Sequence, residues 1–542
     1  MKKFILIVLH LLFITFVFAQ VDTAWVRRYN GAGNSFDEAY AIAVDNQGNV
    51  YVTGASYGSG TQYDYATIKY NSAGETLWVR RYNIPGIGWD IAQDIAVDNQ
   101  GNVYVTGYSW GSTEYRYDYA TVKYNSEGVE QWVNRYNGIG DDWDWAFDLA
   151  IDNQGNVYVT GTSDSIQSSS ISDNGYVTIK YNTAGETLWV KRYDGPISED
   201  LAYAIAVDQA GNVYVTGESQ GPLSPWYDYD YATVKYNSAG ETLWVRRYNG
   251  PGNRQDGAYA IAVDEAGNVY VTGRSRPDSI NVEGYDYVTI KYNPEGVEQW
   301  IARYNGPRDD MDEAYALALD NQGNVYVTGL SSGIGTMWDI VTIKYNSDGD
   351  SVWVRRYNGP GDGPDVGNCI AVDEAGNVYV GGYGYNESTY KDYLIIKYDS
   401  DGVEQWVFFY PGPGSFDDEV YSMALDVSGN VYVTGYNHGV GSDDDFLTIK
   451  CVQTGGMEES NTHNASRLTL EIFPNPANNV IRVRSRLFGK ESEHLKIFDV
   501  SGNLIRELIV TTPEVNLSLK GVNPGIYFLR IGTTIRKFLV VK

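Results

Sequence analysis

The sequence predicts an all-β protein: an eight-bladed β-propeller of four-stranded blades, followed by a small Ig-like β-sandwich. Two observations favour the propeller. Each repeat unit has room for four alternating strands, and the marker Gly-Asn-Val-Tyr-Val recurs at intervals of 53 to 56 residues. Its eight copies start at Gly48, Gly101, Gly155, Gly211, Gly267, Gly323, Gly376 and Gly429.

The first unit shows the four strand-like segments. They read AYAIAVD (39–45), NVYVTG (49–54), YATIKYN (65–71) and ETLWVRRYN (75–83). Both faces of these segments carry apolar residues, as expected for sheets buried between neighbours. Helical repeats are excluded because no window keeps a 3.6-residue period. A parallel β-helix would have shorter repeats without four alternating strands in each.

The ends of the repeat region predict how the ring closes. Residues 24–30 (AWVRRYN) form a lone fourth strand, and the eighth unit stops after its third strand, FLTIK at 446–450. The N-terminal strand should therefore complete the last blade, which removes the open edges that invite aggregation. We expect the propeller to span residues 20–451.

Composition excludes several classes of protein. The chain carries 69 Asp and Glu against 40 Lys and Arg, and its net charge is -29. Such a chain is a poor match for a phosphate backbone, so nucleic-acid binding is not expected. Two cysteines exclude a disulfide scaffold or a multi-Cys zinc site, and four histidines argue against His-based metal sites. No P-loop is present, and no motif implies a cofactor.

The first 19 residues are typical of a secretory signal peptide. Lys2 and Lys3 form a basic start, an apolar run follows, and Val17 and Ala19 fit the small-residue rule for cleavage after Ala19. The alternative is an uncleaved membrane anchor, for which the apolar run is short.

The C-terminal residues 467–542 differ from the repeats, and a polar linker at 452–466 separates the two. They read as short alternating strands punctuated by Pro and Gly turns, which favours the small β-sandwich. The turns include Pro474-Asn475-Pro476 and a turn at Gly502, and one of the strands starts at Gly525. An ordinary Ig-like binding module is the alternative.

These motifs closely resemble the C-terminal sorting domain of type IX secretion cargo in Bacteroidetes. The resemblance implies passage across the outer membrane by the type IX machinery, removal of this domain, and either release or attachment at the cell surface. The repeat units resemble the SBBP type of bacterial β-propeller repeat and, more distantly, the NHL repeat.

One face of the propeller should carry all the variation. The turns between the first and second strands and between the third and fourth strands have fixed lengths, whereas the loops between the second and third strands vary in length. These variable loops share one face of the propeller with the connections between blades. Variable loops on a rigid scaffold often carry recognition. Aromatic residues beside polar groups there suit sugar rings or protein partners; the alternative is that the rings pack loops against blades. The ligand-binding candidates are Trp89, Trp110, Trp143, Trp145, Trp226 and Trp338.

An Asp enters the innermost strand of every unit, so eight carboxylates could ring one mouth of the channel. They are Asp37, Asp90, Asp144, Asp200, Asp256, Asp312, Asp365 and Asp418. The functional hypothesis is a site for a divalent cation or a cationic ligand, since oxygen ligands suit calcium. The structural alternative is that each Asp pairs with the Arg that recurs at the end of the preceding strand, or caps backbone amides. Because Phe409 replaces that Arg before the last unit, Asp418 would then be the unpaired one.

A second Asp precedes the third strand in seven units, where we expect it to cap a loop. These residues are Asp64, Asp118, Asp230, Asp286, Asp339, Asp392 and Asp445, with Gly175 as the exception. The pairing state of Cys369 and Cys451 cannot be read from the sequence.

Together these features favour a secreted or cell-surface binding or scaffold protein that recognises an extracellular glycan or protein through its variable face. The rival hypothesis is a carbohydrate-active hydrolase or lyase that uses carboxylates near the channel, and we favour the binding protein over the enzyme. A structural surface-layer component is a third alternative. No transmembrane segment is expected in the mature chain.

Overall fold

The computed structural model is built of β-strands. It describes residues 20–84, 88–111, 116–140, 143–165, 173–197, 199–222, 228–277, 284–413, 416–439, 441–454, 470–473, 480–485, 493–499, 504–510, 514–520, 522–523, 525–531 and 534–540. The chain divides into two units, residues 1–456 and residues 457–542. The predicted signal peptide lies outside the described residues.

The first unit is an eight-bladed propeller of four-stranded antiparallel sheets, which confirms the predicted fold. The innermost strands, for blades 1 to 8, are Asp37–Val44, Asp90–Val97, Asp144–Ile151, Asp200–Val207, Asp256–Val263, Asp312–Leu319, Val366–Val372 and Asp418–Leu425. The second strands are Val50–Tyr57, Val103–Trp110, Val157–Asp164, Val213–Gln220, Val269–Ser275, Val325–Ser332, Val378–Asn386 and Val431–His438.

The third strands are Tyr63–Tyr70, Tyr117–Tyr124, Asn174–Tyr181, Tyr229–Tyr236, Asp286–Tyr292, Trp338–Tyr345, Tyr390–Tyr398 and Asp444–Thr454. The outermost strands of blades 1 to 7 are Thr76–Tyr82, Glu130–Tyr136, Thr187–Tyr193, Thr242–Tyr248, Glu298–Tyr304, Ser351–Tyr357 and Glu404–Tyr410.

The N-terminal strand closes the ring as predicted. Gln20–Tyr29 is the outermost strand of blade 8 and pairs antiparallel with its third strand, with Val26 opposite Ile449. This strand completes a blade whose other three strands come from the end of the repeat region, so the two ends of the propeller hold each other in place.

In every blade the turn from the first to the second strand reads Asp-x-x-Gly, as in Asp45 to Gly48 of blade 1. In blade 1 the amide of Gly48 donates to the carbonyl of Asp45 at 2.9 Å. Gly48 has a φ of 74°, which only glycine adopts at little cost. The Asp45 carboxylate accepts bonds from the amides of Gln47 and Asn49 and from the hydroxyl of Tyr51, each at 2.9 Å. The side chain therefore holds the turn together.

Aromatic side chains join each blade to the next, which accounts for much of the tyrosine and tryptophan content. The hydroxyl of buried Tyr65 donates to the carbonyl of Ala120 in blade 2 at 3.1 Å. Trp78 packs between Tyr51 and Tyr124, and its indole N–H donates to the carbonyl of Ser126. Tyr65 and Trp78 thus bury large apolar areas while their polar tips keep hydrogen-bond partners.

The second unit contains two antiparallel sheets. One has the order Leu470–Phe473, Val480–Ser485, Glu514–Ser518, and the other has the order Leu504–Val510, Glu493–Asp499, Gly525–Ile531, Thr534–Val540. The Ig-like sandwich itself stays a prediction. Gly525 opens the third strand of the larger sheet, whereas Pro474, Asn475, Pro476 and Gly502 lie outside the described residues.

Two further findings concern the described part of the chain. It contains no helix that is long and apolar enough to span a membrane. Cys369 and Cys451 are free thiols in the apolar core around blades 7 and 8, and burial raises the pKa of each to about 12.

Candidate binding face

The aspartates that enter the innermost strands point into the blades and hold the connections between them. All eight are 0–1% exposed. Asp37 accepts bonds from the amide of Gly31, in the connection from blade 8, at 2.5 Å and from the amide of Tyr57 at 2.9 Å. Asp365 likewise accepts from Gly359 and Tyr385 at 2.6 and 2.7 Å. These bonds are the amide capping of the structural alternative.

Burial makes these carboxylates costly to ionise. Desolvation raises the pKa of Asp90, Asp200 and Asp312 to about 6. It raises that of Asp144, Asp256, Asp365 and Asp418 to about 7. Among the described residues, no group of three or more His, Cys, Asp or Glu side chains is arranged to hold a metal ion. Calcium binding stays a prediction.

The recurring arginines pair with the second set of aspartates, so the expected pairing with the first set is wrong. Arg81 contacts Asp64 at 2.7 Å and also donates to the hydroxyls of Ser56 and, in blade 8, Tyr29. The predicted partner of Arg81 was Asp90, which begins the innermost strand of the next blade. The outermost strand instead pairs with the third strand of its own blade, which carries Asp64. The same pairing joins Arg135 to Asp118, Arg247 to Asp230, Arg303 to Asp286 and Arg356 to Asp339.

Blades 7 and 8 depart from this pattern. Phe409 takes the place of the arginine and packs against Tyr357. The residue that loses its arginine is Asp392, not Asp418 as expected. Asp392 keeps a bond from the Thr389 hydroxyl at 2.8 Å. In blade 8, Arg28 donates to Asn437 instead of Asp445.

Four of the six candidate tryptophans lie in one region of the variable face. Trp143 and Trp145 stack with ring centroids 5.3 Å apart and an interplanar angle of 18°. Trp145 contacts Tyr108, which contacts Tyr117, and Tyr117 contacts Trp110. We call the aromatic strip the set Tyr57, Tyr63, Trp89, Tyr108, Trp110, Tyr117, Trp143 and Trp145.

The blade 1 end of the strip is built in the same way. Trp89 lies edge-on to Tyr63 at 5.8 Å, and Tyr63 contacts Tyr57 at 5.5 Å. The amide of Trp110 donates to the carbonyl of Trp89, which links the two ends. Trp89 is 43% and Trp143 is 50% exposed, so both present open ring surface.

The other two tryptophans do not join the strip. Trp338 packs against the buried cluster of Leu330, Val366 and Tyr383, as the loop-packing alternative expects. Trp226 lies outside the described residues.

Sequence reasoning missed an aromatic collar on the innermost strands. A β-bulge between Ala39 and Ala41 leaves Tyr40 outside the regular pairing, and bulges re-aim side chains. Its equivalents contact one another from blade to blade at 5.6 to 6.0 Å. The alternation of Ala with Tyr was the available signal. The collar comprises Tyr40, Phe147, Tyr203, Tyr259, Tyr315 and Tyr421.

A carboxyl pair also breaks the eightfold pattern. Asp94 and Asp148 occupy a position that is Ala41 in blade 1, and their carboxyl groups hydrogen-bond each other. Burial raises the pKa of both carboxyl groups, and the neighbouring Asp94 raises that of Asp148 further. Asp94 accepts from the amide of Leu149 at 3.0 Å and Asp148 from that of Ile205 at 2.7 Å. The pair therefore ties blades 2, 3 and 4 together.

A pocket of about 460 Å³ opens where blades 7, 8 and 1 meet. We call it the blade-8 pocket. Sequence reasoning did not single out any of its residues, because they come from both ends of the propeller and meet only when the ring closes. Its lining residues are Phe36, Tyr390, Phe416, Asp417, Tyr436, His438 and Asp444.

The repeats and the C-terminal region both match known families. Seven stretches match the SBBP beta-propeller repeat: residues 24–60, 77–113, 131–166, 189–224, 243–276, 299–335 and 352–387. Residues 471–542 match the secretion system C-terminal sorting domain. The chain is an SBBP-repeat protein with a secretion sorting domain. This confirms both resemblances, and the sorting domain indicates export through the type IX system to the cell surface or beyond.

Two curated proteins resemble this SBBP-repeat protein over part of their length. An uncharacterized WD repeat-containing protein of Acanthamoeba polyphaga mimivirus is 23% identical over 410 residues, covering 62% of this chain and 27% of that protein. The regulatory protein FlaEY of Caulobacter vibrioides is 31% identical over 141 residues, covering 22% and 14%. The chain thus spans less than a third of either relative.

Among solved structures, the SBBP-repeat protein aligns with PorZ of Porphyromonas gingivalis, described as an essential bacterial surface component of the type-IX secretion system. The TM-score is 0.39 and the identity 14%, over 95% of this chain and 70% of that chain.

Proposed function

We propose that this SBBP-repeat protein is a surface or secreted binding protein whose propeller recognises an extracellular glycan through the aromatic strip. The observation that carries the proposal is the exposed ring surface of Trp89 and Trp143 on a rigid scaffold. Sugar rings present apolar C–H faces that stack on indoles, and Trp143, which stacks on Trp145, keeps half of its surface exposed for such a contact.

The strip is preorganised, which favours binding. Its rings are fixed by contacts with one another and stand at the ends of paired strands, so little side-chain entropy is lost when a ligand docks. The indole N–H of Trp89 already donates to Gln62, which fixes the ring. Tyrosine hydroxyls along the strip can bond sugar hydroxyls beside the platform.

The rival hydrolase or lyase would need suitably spaced carboxyl groups. Glycosidases generally hold two carboxyls about 5 to 10 Å apart. Asp94 and Asp148 instead hydrogen-bond each other, so this pair lacks room for the scissile bond. This pair therefore does not support the enzyme, and the exposed rings of the strip favour binding.

A polysaccharide array screened with the full chain, with and without calcium, tests the proposal. Binding without release of oligosaccharides is expected. Oligosaccharide release would favour the enzyme. Failure to bind any glycan would overturn the proposal and direct the search to a protein partner.

A further inference from the structure

The blade-8 pocket combines aromatic walls with acidic groups. Phe416 is 55% and Tyr390 53% exposed, so ring surface faces the opening. The His438 ring lies 4.3 Å from that of Phe416 between centroids. Asp417 and Asp444 complete the lining with carboxylates.

The negative charge of this pocket is only partly balanced from within the protein. Lys391 lies 3.3 Å from Glu419 and 3.9 Å from Asp417, so its main partner is Glu419. His438 bonds Asp444 at 3.0 Å through Nδ1. Nearby Asp443 accepts a bond from the Ser35 hydroxyl rather than from a cation.

The carboxylate of Asp444 is repelled by those of Asp443 and Asp417. Burial raises the pKa of Asp444, and the charges of Asp443 and Asp417 raise it further against the lowering effect of His438. A cation that entered the pocket would relieve this repulsion. A divalent metal prefers a cage of oxygen ligands, whereas rings supply none. Aromatic faces beside carboxylates instead suit an organic cation.

We propose that the blade-8 pocket binds an alkylammonium group, with the rings of Phe416, Phe36 and Tyr390 around its carbon chain and Asp417 and Asp444 facing its charge. The volume of about 460 Å³ accommodates a group of lysine side-chain size. The ammonium group could belong to a free amine or to a lysine of a protein partner. The pocket shares no residue with the aromatic strip, and the proposal does not rest on the proposed glycan function.

Calorimetric titration of the full chain with n-butylammonium chloride, and with 1-butanol as the uncharged match, tests the charge requirement. Butylammonium should bind and 1-butanol should not. Equal binding of the two, or binding of neither, would overturn the proposal. Cadaverine and Nα-acetyl-lysine N-methylamide, whose side-chain ammonium group is free, then separate the two sources. A site for free amines favours cadaverine, and a site for protein lysines favours the lysine derivative.

Variants locate the site. Phe416→Ala and Asp444→Asn should each weaken butylammonium binding about fivefold or more. Trp143→Ala, in the strip, and Asp348→Asn, in an exposed turn, should leave it unchanged, and thermal melts confirm folding. Unaltered binding by both pocket variants would refute the site. Because glycan binding is measured separately with Trp143→Ala, failure of one proposal leaves the other standing.

Discussion

Blades 1 and 2 and blade 8 use the same two positions for different chemistry. In each blade the last residue of the second strand faces the first residue of the third strand across the variable loop. These facing pairs are Tyr57 with Tyr63, Trp110 with Tyr117, and His438 with Asp444. The first two are edge-to-face ring pairs, and the third is a His–carboxylate contact.

The backbone pairing at these positions is the same in all three blades, so the side chains alone turn a neutral aromatic surface into a charged pocket. The paired strands fix where these side chains lie, and the residue types at the strand ends determine what the surface can bind. The two regions should therefore bind their ligands independently. A substitution in the aromatic strip should leave binding by the blade-8 pocket unchanged, and a substitution in the pocket should leave binding by the strip unchanged.

The largest expected effect comes from breaking the scaffold that both regions share. Arg81 joins Asp64 and Ser56 of blade 1 to Tyr29 of blade 8. Arg81→Met would leave the buried Asp64 without its counter-charge, so the free energy of unfolding should fall by about 3 kcal/mol. Urea denaturation measures this.

The matched control is Phe409→Met, at the position where blade 7 already lacks the arginine. It should cost about 1 kcal/mol or less, because it swaps one apolar side chain for another. Equal losses in the two variants would show that the arginine network does not stabilise the ring.

Blades 1 and 7 should also differ in how pH affects stability. In blade 1 the Ser56 hydroxyl bonds Asp37 and helps to stabilise its ionised form. Blade 7 has Gly384 at that position, and burial raises the pKa of Asp365 to about 7. Between the unfolded value of about 3.9 and this folded value, the native state binds more protons than the unfolded state. The free energy of unfolding should therefore fall as pH rises through this window.

Asp365→Asn should flatten that slope by at most about 1 kcal/mol per pH unit between pH 5 and 7. Asp37→Asn should change the slope less. Urea denaturation at a series of pH values provides the measurement, and an unchanged slope in Asp365→Asn would contradict the assignment.

The repeat made the scaffold predictable from the sequence. Eight copies of one pattern revealed the strand count, the turns and the closing role of residues 24–30, since each copy repeats the same local constraints. The partner of Arg81 was mispredicted because two aspartates recur at fixed distances from it, and only lateral strand order separates them. The aromatic strip could be anticipated from Trp143 and Trp145. The blade-8 pocket could not, because Phe36 and His438 meet only through ring closure.

Exchanging the blade-8 pair for the blade 1 pair tests whether two positions are enough to change the chemistry. In the double variant His438→Tyr with Asp444→Tyr, the charged partner of the ammonium group is lost. Affinity for butylammonium should fall about thirtyfold, measured by calorimetry. The aromatic strip of the same variant should bind glycan as before. Retained butylammonium affinity would mean that Asp417 and the rings suffice.

A last prediction tests the aromatic strip while leaving the blade-8 pocket unchanged. Trp143→Ala removes one layer of the stacked indole pair and leaves Trp145 in place, so affinity for an array-identified glycan should fall about tenfold. Phe416→Ala serves as the matched control, because it also removes an exposed ring from the variable face. It should lower butylammonium affinity and leave glycan affinity intact. If both variants weakened glycan binding equally, the ligand would have to cross from blade 3 to blade 8, and the strip and the pocket would be parts of one extended site.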